Sequence, residues 1–511
     1  MISRRSFLTS ASAAALMPRV PAAFATVQRP AQLGKEALPF DSTLVEQVAE
    51  RLSQQAYQPR KMVPKDWLAM NYDEYRSIWF NSNKALWTGS DRPFRMDMFH
   101  PGLYFPRPID IRIVEDGQSR PLLFDLDLFD KTDKAPKLTI DDSLGYSGLR
   151  LRAELEKAGV FQEFCVFQGA SYFRAIAKDQ IYGLSARGLA LKTADSRGEE
   201  FPDFTRFWIE APRSGEKSVT LHALLDSPSL TGAYTFEIEP GSPTRMKVRC
   251  KLYPRADLDH VGLGPLTSMF LFDETNRNRF NDFRPAVHDN DGLLVSNGAG
   301  EMLWRPLANP SELQTSFFVD KAPRGFGLMQ RTRKFSDFAD LEALYHRRPG
   351  LWVEPGEDWG NGSVVLVEIP ADREIYDNIV AFWRPREVMK AGSSHSFSYK
   401  LTWGGEPESK VDVARVINTR MGKRFKGGYL TTVDFEDHVN LADDPEEYQV
   451  HVSSSQVKTS EGILQRNPET GGLRTAFTFF PGERKSVELR AQLRRDGRNV
   501  SEVWLYRWTS E

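Results

Sequence analysis

Along most of this chain, apolar residues recur at every second position and only rarely at helical spacing. The stretches "SVTLHALL" (218–225), "MKVRCKLY" (246–253) and "SVELRAQLR" (486–494) all alternate. In "SFSYKLTW" Phe397, Tyr399, Leu401 and Trp403 fall on one side, with Ser, Ser, Lys and Thr opposite. Successive strand side chains point to opposite faces, so this pattern makes half-buried strands. Strand follows strand without regular helices between, which predicts an all-β fold of antiparallel sheets packed as sandwiches. No fixed-period repeat runs through the sequence, which disfavours a propeller or solenoid. Aromatic residues make up 12 % of the chain, including 33 Phe. They suit a β core, and also a carbohydrate cleft, because sugar rings present apolar C–H faces to Trp and Tyr.

Two helices are expected. In 41–57 Leu44, Val48 and Leu52 recur at helical spacing, with Thr43 and Glu46 spaced as a capping box. In "SDFADLEALYHRR" (336–348) Phe338, Leu341 and Tyr345 form a stripe, Ser336 is the N-cap and Pro349 the stop. A domain boundary is expected in "FWRPREVMKAGSS" (382–394), giving domains 26–385 and 386–511. The second has the size of one immunoglobulin-like sandwich.

The N-terminus reads as an export signal. Arg4 and Arg5 are followed by Phe7, Leu8 and a short apolar run, and Ala23-Phe24-Ala25 offers a cleavage site. A twin-arginine leader predicts residues 1–25 removed and delivery to a bacterial periplasm. With 67 basic and 69 acidic residues, net −2, the chain lacks the excess charge of a nucleic-acid binder. Cys165 and Cys250 lie far apart in sequence, and their spacing decides nothing about pairing; Cys250, within an alternating run, reads as a buried thiol.

Familiar catalytic motifs are missing. There is no HExxH, no GxSxG elbow, no phosphate-binding loop and no dinucleotide fingerprint. No metal or cofactor is expected. Two stretches instead place carboxylates in unusual surroundings. "FRPAVHDNDGLLV" (283–295) gathers Arg284, His288, Asp289 and Asp291 between apolar runs. On local sequence it reads first as a loop, because Asn, Asp and Gly tolerate left-handed backbone; the sharper alternative is a catalytic carboxylate at a strand end. "GSVVLVEIPADREIYDNIVAFW" (362–383) reads as a hairpin turning at 371–374. Its second strand would put Asp377 on one face with Ile375, Ile379 and Ala381. Desolvation there would keep a proton available for a general acid. The alternative is a hairpin-capping Asp377, with Glu368 on the partner strand as the rival acid.

Long strings in this order resemble the periplasmic glucan biosynthesis proteins of the OpgG/OpgD type over nearly the whole mature chain. They include "GASYFRA" (169–175), "YGLSARGLA" (182–190), "EEFPDFTRFW" (199–208), "LLDSPSLTGAY" (224–234), "PLTSMF" (265–270) and "VHDNDGL". "RPLANP" (305–310), "GFGLMQ" (325–330), "RRPGLWVEP" (347–355), "DNIVAFW" and "SEVWLY" (501–506) continue it. The leader resembles the OpgD branch. The resemblance implies a galactose mutarotase-like N-terminal β-sandwich followed by an immunoglobulin-like one. It implies action on osmoregulated periplasmic glucan with a β-1,2-linked backbone, by anomer-inverting endo-hydrolysis or by transfer. In the family pattern the aspartate after His is the general base, here Asp289. The aspartate of "DNI" is the general acid, here Asp377, and a relay through hydroxyls or water serves the base. His288 and Arg284 are expected to hold Asp289 ionised. Tyr172, Arg187, Trp352 and Trp359 are expected to line the cleft. Beyond β-1,2-glucan, the expected partners are a membrane glucan synthase and a second copy of the chain; no nucleic-acid partner is expected. One departure stands out. Between "ARVINTRMGKR" (414–424) and "VDFE" (433–436), OpgD-type chains carry a longer loop that closes over the cleft, here shortened to "FKGGYLTT". That leaves slow hydrolysis, transfer, and glucan binding without chemistry all open.

Overall fold

The structure, a computed structural model, describes residues 31–409, 411–439, 441 and 444–510. The expected leader, with Arg4, Arg5 and the Ala23-Phe24-Ala25 cleavage site, lies outside them. The fold is all-β, and no described helix is long and apolar enough to cross a membrane. The chain divides into two compact units, one of Ala11–Pro265 with Arg384–Gly404, the other essentially Leu266–Trp383 with Gly405–Glu511.

The first unit is a sandwich. One sheet runs antiparallel through Asp203–Glu210, Val219–Asp226, Leu230–Glu239, Thr244–Pro254 and His395–Gly404. The other contains Phe94–Phe99, Gly148–Ala153, Gln162–Gln168, Tyr172–Ala175 and Ser185–Arg187. Phe167 and Phe173 of the second sheet each meet Phe236 of the first, edge to face, at 5.2 Å between ring centres. Edge-to-face packing suits the ring quadrupole and fills the inter-sheet space. Helix Thr43–Ser53 covers one end, burying Val45 and Ala49 against Trp208 and Tyr253, with Val48 and Leu52 at the margin. Its expected capping box is absent. The Asp41 carboxylate instead accepts from the Thr43 backbone N–H at 2.8 Å and from the Thr43 hydroxyl. Cys165 and Cys250 are both buried and no disulfide joins them.

In the second unit Gly292–Ser296 pairs antiparallel with Met302–Pro306 and with Gly325–Met329, which continues to Gly350–Pro355. Met302–Pro306 also pairs parallel with Val503–Thr509, Leu303 opposite Val503. One apolar cluster therefore joins Leu294, Trp304 and Trp352 to Val433, Phe477 and Trp504. This differs from two contiguous domains cut at 385. The strand His395–Gly404 pairs along Thr244–Pro254, Thr244 opposite Trp403, inside the first unit. Ladder hydrogen bonds and shared burial, not position along the chain, decide which unit a strand joins.

The helix expected over 336–348 does not form. Short 3-10 turns at Phe335–Asp337 and Tyr345–Arg347 flank Ala339 and Leu344, which have φ of 53° and 46°. Left-handed residues break an α-helix. The Asp340 carboxylate supplies the alternative, accepting from the backbone N–H groups of Glu342 at 2.8 Å and Ala343 at 2.7 Å.

Candidate functional site

The short strand Phe270–Phe272 anchors both carboxylate stretches. On one side Phe270 lies opposite His288, and the Asp289 N–H donates to the Met269 carbonyl at 2.9 Å. On the other side Asn378, buried, uses its amide as a surrogate strand. Its Oδ1 accepts from the Phe270 N–H at 2.8 Å, and its Nδ2 donates to the Phe270 carbonyl at 2.8 Å and the Ile369 carbonyl at 3.1 Å. The Ile369 N–H in turn donates to the Asn378 carbonyl at 2.8 Å, closing the connection between the two strands. Asp289 and Asp377, far apart in sequence, are thus each fixed through neighbouring backbone to Met269 and Phe270.

Asp377 is not on a strand. The ladder ends at Glu368 and resumes at Ile379, so Asp377 stands half-buried in the connection rather than among isoleucines. The Asn378 side chain, inserted where ladder bonds would run, is the reason. "DNDG" is a short bend between strands Val287–His288 and Gly292–Ser296, which pair with different neighbours. Gly292 is there for space: a Cβ would meet the Trp304 ring at 2.1 Å.

Asp289 is completely buried, and the Arg348 guanidinium donates to it. Arg348 also donates to the Ala343 carbonyl at 3.1 and 3.2 Å and lies 4.3 Å over the Tyr345 ring. Burial pulls the Arg348 pKa down, against the fields of Tyr345, Glu374, Asp340 and Asp377. One cation therefore bonds one candidate carboxylate and feels the other.

The expected helpers of Asp289 are placed differently. Arg284 bonds Asp282 at 2.7 Å, Asp340 at 2.8 Å and Glu374 at 2.7 Å. The Tyr345 hydroxyl donates to the same Glu374 at 2.8 Å. These carboxylates, Asp282 first, hold the Arg284 pKa well up. His288 stacks on Phe270 at 5.3 Å and meets the Phe338 ring edge at 5.0 Å. Burial pushes its pKa down to about 4, so at neutral pH it is an uncharged ring. Arg348 supplies the positive charge expected of His288 and Arg284.

Other carboxylates of these stretches hold the frame. Asp291 accepts from the Arg331 N–H, the Thr332 N–H and the Thr332 hydroxyl, all within 3.1 Å. Glu368, fully buried, pairs with Arg305 at 3.1 Å and accepts from the Ala308 N–H at 2.8 Å. Asn290 accepts from the Ser268 hydroxyl at 2.6 Å and donates to the Pro349 carbonyl at 3.1 Å, tying this stretch to the segment that carries Arg348.

The aromatic and basic residues expected in a cleft separate into two groups. Tyr172 and Arg187 lie opposite each other in register, the guanidinium 4.9 Å over the ring and 2.6 Å from Glu199. Trp352 is core. Its ring packs so closely on Gly325 that a Cβ there would meet it at 2.3 Å. Trp359 is buried as well. Among the described residues, no group of three or more His, Cys, Asp or Glu converges as metal ligands would.

Sequence reasoning missed Arg348, Glu374, Tyr345 and Asn378. A buried Arg beside a proline turn and an Asn immediately after the acid were the available signals.

A family model described as "Periplasmic glucan biosynthesis protein, MdoG" matches residues 40–508. "Glucans biosynthesis protein G" of Shewanella baltica (strain OS155) is 46 % identical over 475 residues, covering 92 % of this chain and 87 % of that one. The proteins of the same name from Vibrio cholerae serotype O1 (strain M66-2) and "Glucans biosynthesis protein G 1" from Shewanella oneidensis match with the same identity and coverage. The chain belongs to the MdoG family of periplasmic glucan biosynthesis proteins.

Proposed function

We propose that this protein works in the periplasm on the β-1,2-linked backbone of osmoregulated glucan, by inverting hydrolysis or transfer, after export through its twin-arginine leader. Asp377 is the general acid and Asp289 the general base. The observation that carries this reading is the shared anchor at Met269 and Phe270, with Arg348 bonded to one carboxylate and within the field of the other.

The two environments suit the two roles. Asp377, half-buried in a connection, can meet a glycosidic oxygen and release its proton to it. Asp289 is held beside a guanidinium, which favours its ionised form. Being fully buried, it takes the proton of the attacking water through a relay of hydroxyls or water rather than by direct contact.

The test is product analysis on linear β-1,2-glucan. Shortened or rearranged chains of inverted anomeric form are expected. Products of retained configuration would overturn the mechanism.

A second reading is a glucan-binding scaffold that serves a membrane synthase. It is favoured by the hairpin Val416–Lys423 and Tyr429–Phe435, which closes directly through 424–428 with no long loop. Retention of unchanged polymer, with measurable affinity and no products, would favour it.

A further inference from the structure

The same hairpin also carries, at its tip, an exposed basic and aromatic surface. Its tip presents Arg420, Lys423, Arg424 and Lys426, and no acidic residue occurs between 413 and 433. Phe425, at the apex, is fully exposed, and Leu430 is 44 % exposed beside it. Gly427 and Gly428, at φ of 83° and 72°, make the tight turn that thrusts Phe425 outward.

The neighbouring turn adds to the surface. Tyr429 pairs opposite Phe479, and the Arg424 guanidinium lies 5.9 Å over the ring of Phe480, itself 54 % exposed. Arg484 and Lys485 follow in that turn. Against these cations stand Glu483 and Glu274, the latter 2.7 Å from Arg420. Six basic and two acidic residues thus surround two exposed Phe rings, in a chain whose net charge is −2. Four of the cations line a shallow hollow of about 510 Å³ next to Phe425.

We propose that this hairpin tip docks on an anionic phospholipid bilayer, with Phe425 inserted among the headgroups and the surrounding cations on lipid phosphates. A convex tip ending in an aromatic ring ringed by Lys and Arg fits an interfacial membrane contact, where the ring leaves water and the cations meet negative headgroups. A second copy of the chain would have to offer an acidic face to this tip, whereas an anionic bilayer accounts for the cations and the exposed ring together. The inference is independent of the catalytic reading.

The experiment is co-sedimentation of the full chain with phosphatidylcholine vesicles, with and without phosphatidylglycerol. Binding is expected only when phosphatidylglycerol is present, and is expected to weaken as salt is raised. Phe425→Ser should lower partitioning about 30-fold, the scale set by burying one Phe side chain. Lys426→Gln should lower it about fivefold. Lys247→Gln, an exposed charge in the other unit, should leave it unchanged. Melting temperatures of all three should match the parent. Equal binding to both vesicle types, no binding, or binding indifferent to Phe425→Ser would overturn the proposal. So would loss of self-association in Phe425→Ser without any vesicle binding by the parent, which would assign the tip to a second copy.

Discussion

Among the buried carboxylate–arginine pairs of the second unit, two are built for different work. Glu368 and Arg305 close on themselves. The carboxylate also accepts from Ala308, the guanidinium also donates to the Pro306 carbonyl, and both side chains are almost wholly buried. Burial raises the Glu368 pKa even beside Arg305. Asp289 and Arg348 look alike in burial, but Arg348 also lies in the field of Tyr345, Glu374, Asp340 and Asp377. One pair satisfies itself and holds strands together. The other lies in the field of Asp377, which is half-buried. Connection to a partly exposed acid, rather than burial alone, marks the pair that can take part in chemistry.

The largest expected effect separates the two pairs by rate. Asp377→Asn keeps shape but has no proton to give, and Asp289→Asn has no charge to receive one. Each should lower turnover of β-1,2-glucan by the folded protein about 10²–10⁴-fold. Melting temperature should change little in Asp377→Asn, whereas Asp289→Asn leaves the Arg348 cation buried without its counter-ion and should also lose about 4 kcal/mol of stability. Turnover at the parental rate in either variant would remove that residue from the mechanism. Glu368→Gln sharpens the contrast from the other side. It leaves the Arg305 cation buried without its counter-ion, so about 4 kcal/mol of stability should be lost in denaturant unfolding. The folded fraction should turn over normally. A rate loss matching that of Asp377→Asn would make Glu368 the acid.

The next effect is a pH dependence from His288. Its folded pKa is about 4, below an ordinary value near 6.5, so the unfolded chain binds more protons between those values. The neutral-ring contribution is therefore complete above about pH 6.5 and is lost as pH falls toward 4, with an upper limit of about 3 kcal/mol. His288→Phe should flatten the stability profile across that window. An unchanged slope would mean that His288 titrates normally.

What was legible in the sequence follows from the range of the forces involved. Alternation is local, so the strands at 218–225, 246–253, 396–403 and 486–494 could be read directly, and the burial of Tyr399, Leu401 and Trp403 followed. The positions Asp289 and Asp377 were legible only through resemblance to a family. Their partner was not, because Arg348 reaches Asp289 through a loop whose shape depends on Asp340 and on left-handed Ala339 and Leu344. The stripe Phe338, Leu341 and Tyr345 promised a helix, and side-chain capping by Asp340 outcompeted it. Trp352 looked like a cleft residue beside Gly350, but Gly325 and Gly327 on the neighbouring strand make room for its ring in the core. The membership of 395–404 in the first unit is a long-range pairing that no local pattern encodes.

The smallest effect expected concerns Asn378, and it asks whether the shared anchor is what brings the two carboxylates into play. Asn378→Ala removes three side-chain hydrogen bonds, two to Phe270 and one to Ile369, and leaves those backbone groups buried. The loss in stability should be about 2 kcal/mol, since part of the deficit can be met by local rearrangement. Asn378→Asp tests the geometry more finely. It keeps an acceptor for the Phe270 N–H, but its second oxygen faces two carbonyls that need a donor. If the anchor positions Asp377, both variants should lower kcat on β-1,2-glucan with little change in KM, because displacement of the acid affects the transition state more than glucan binding. A loss of stability with kcat intact would show that Asn378 only closes the strand connection. Asp377 would then owe its position to something other than Phe270.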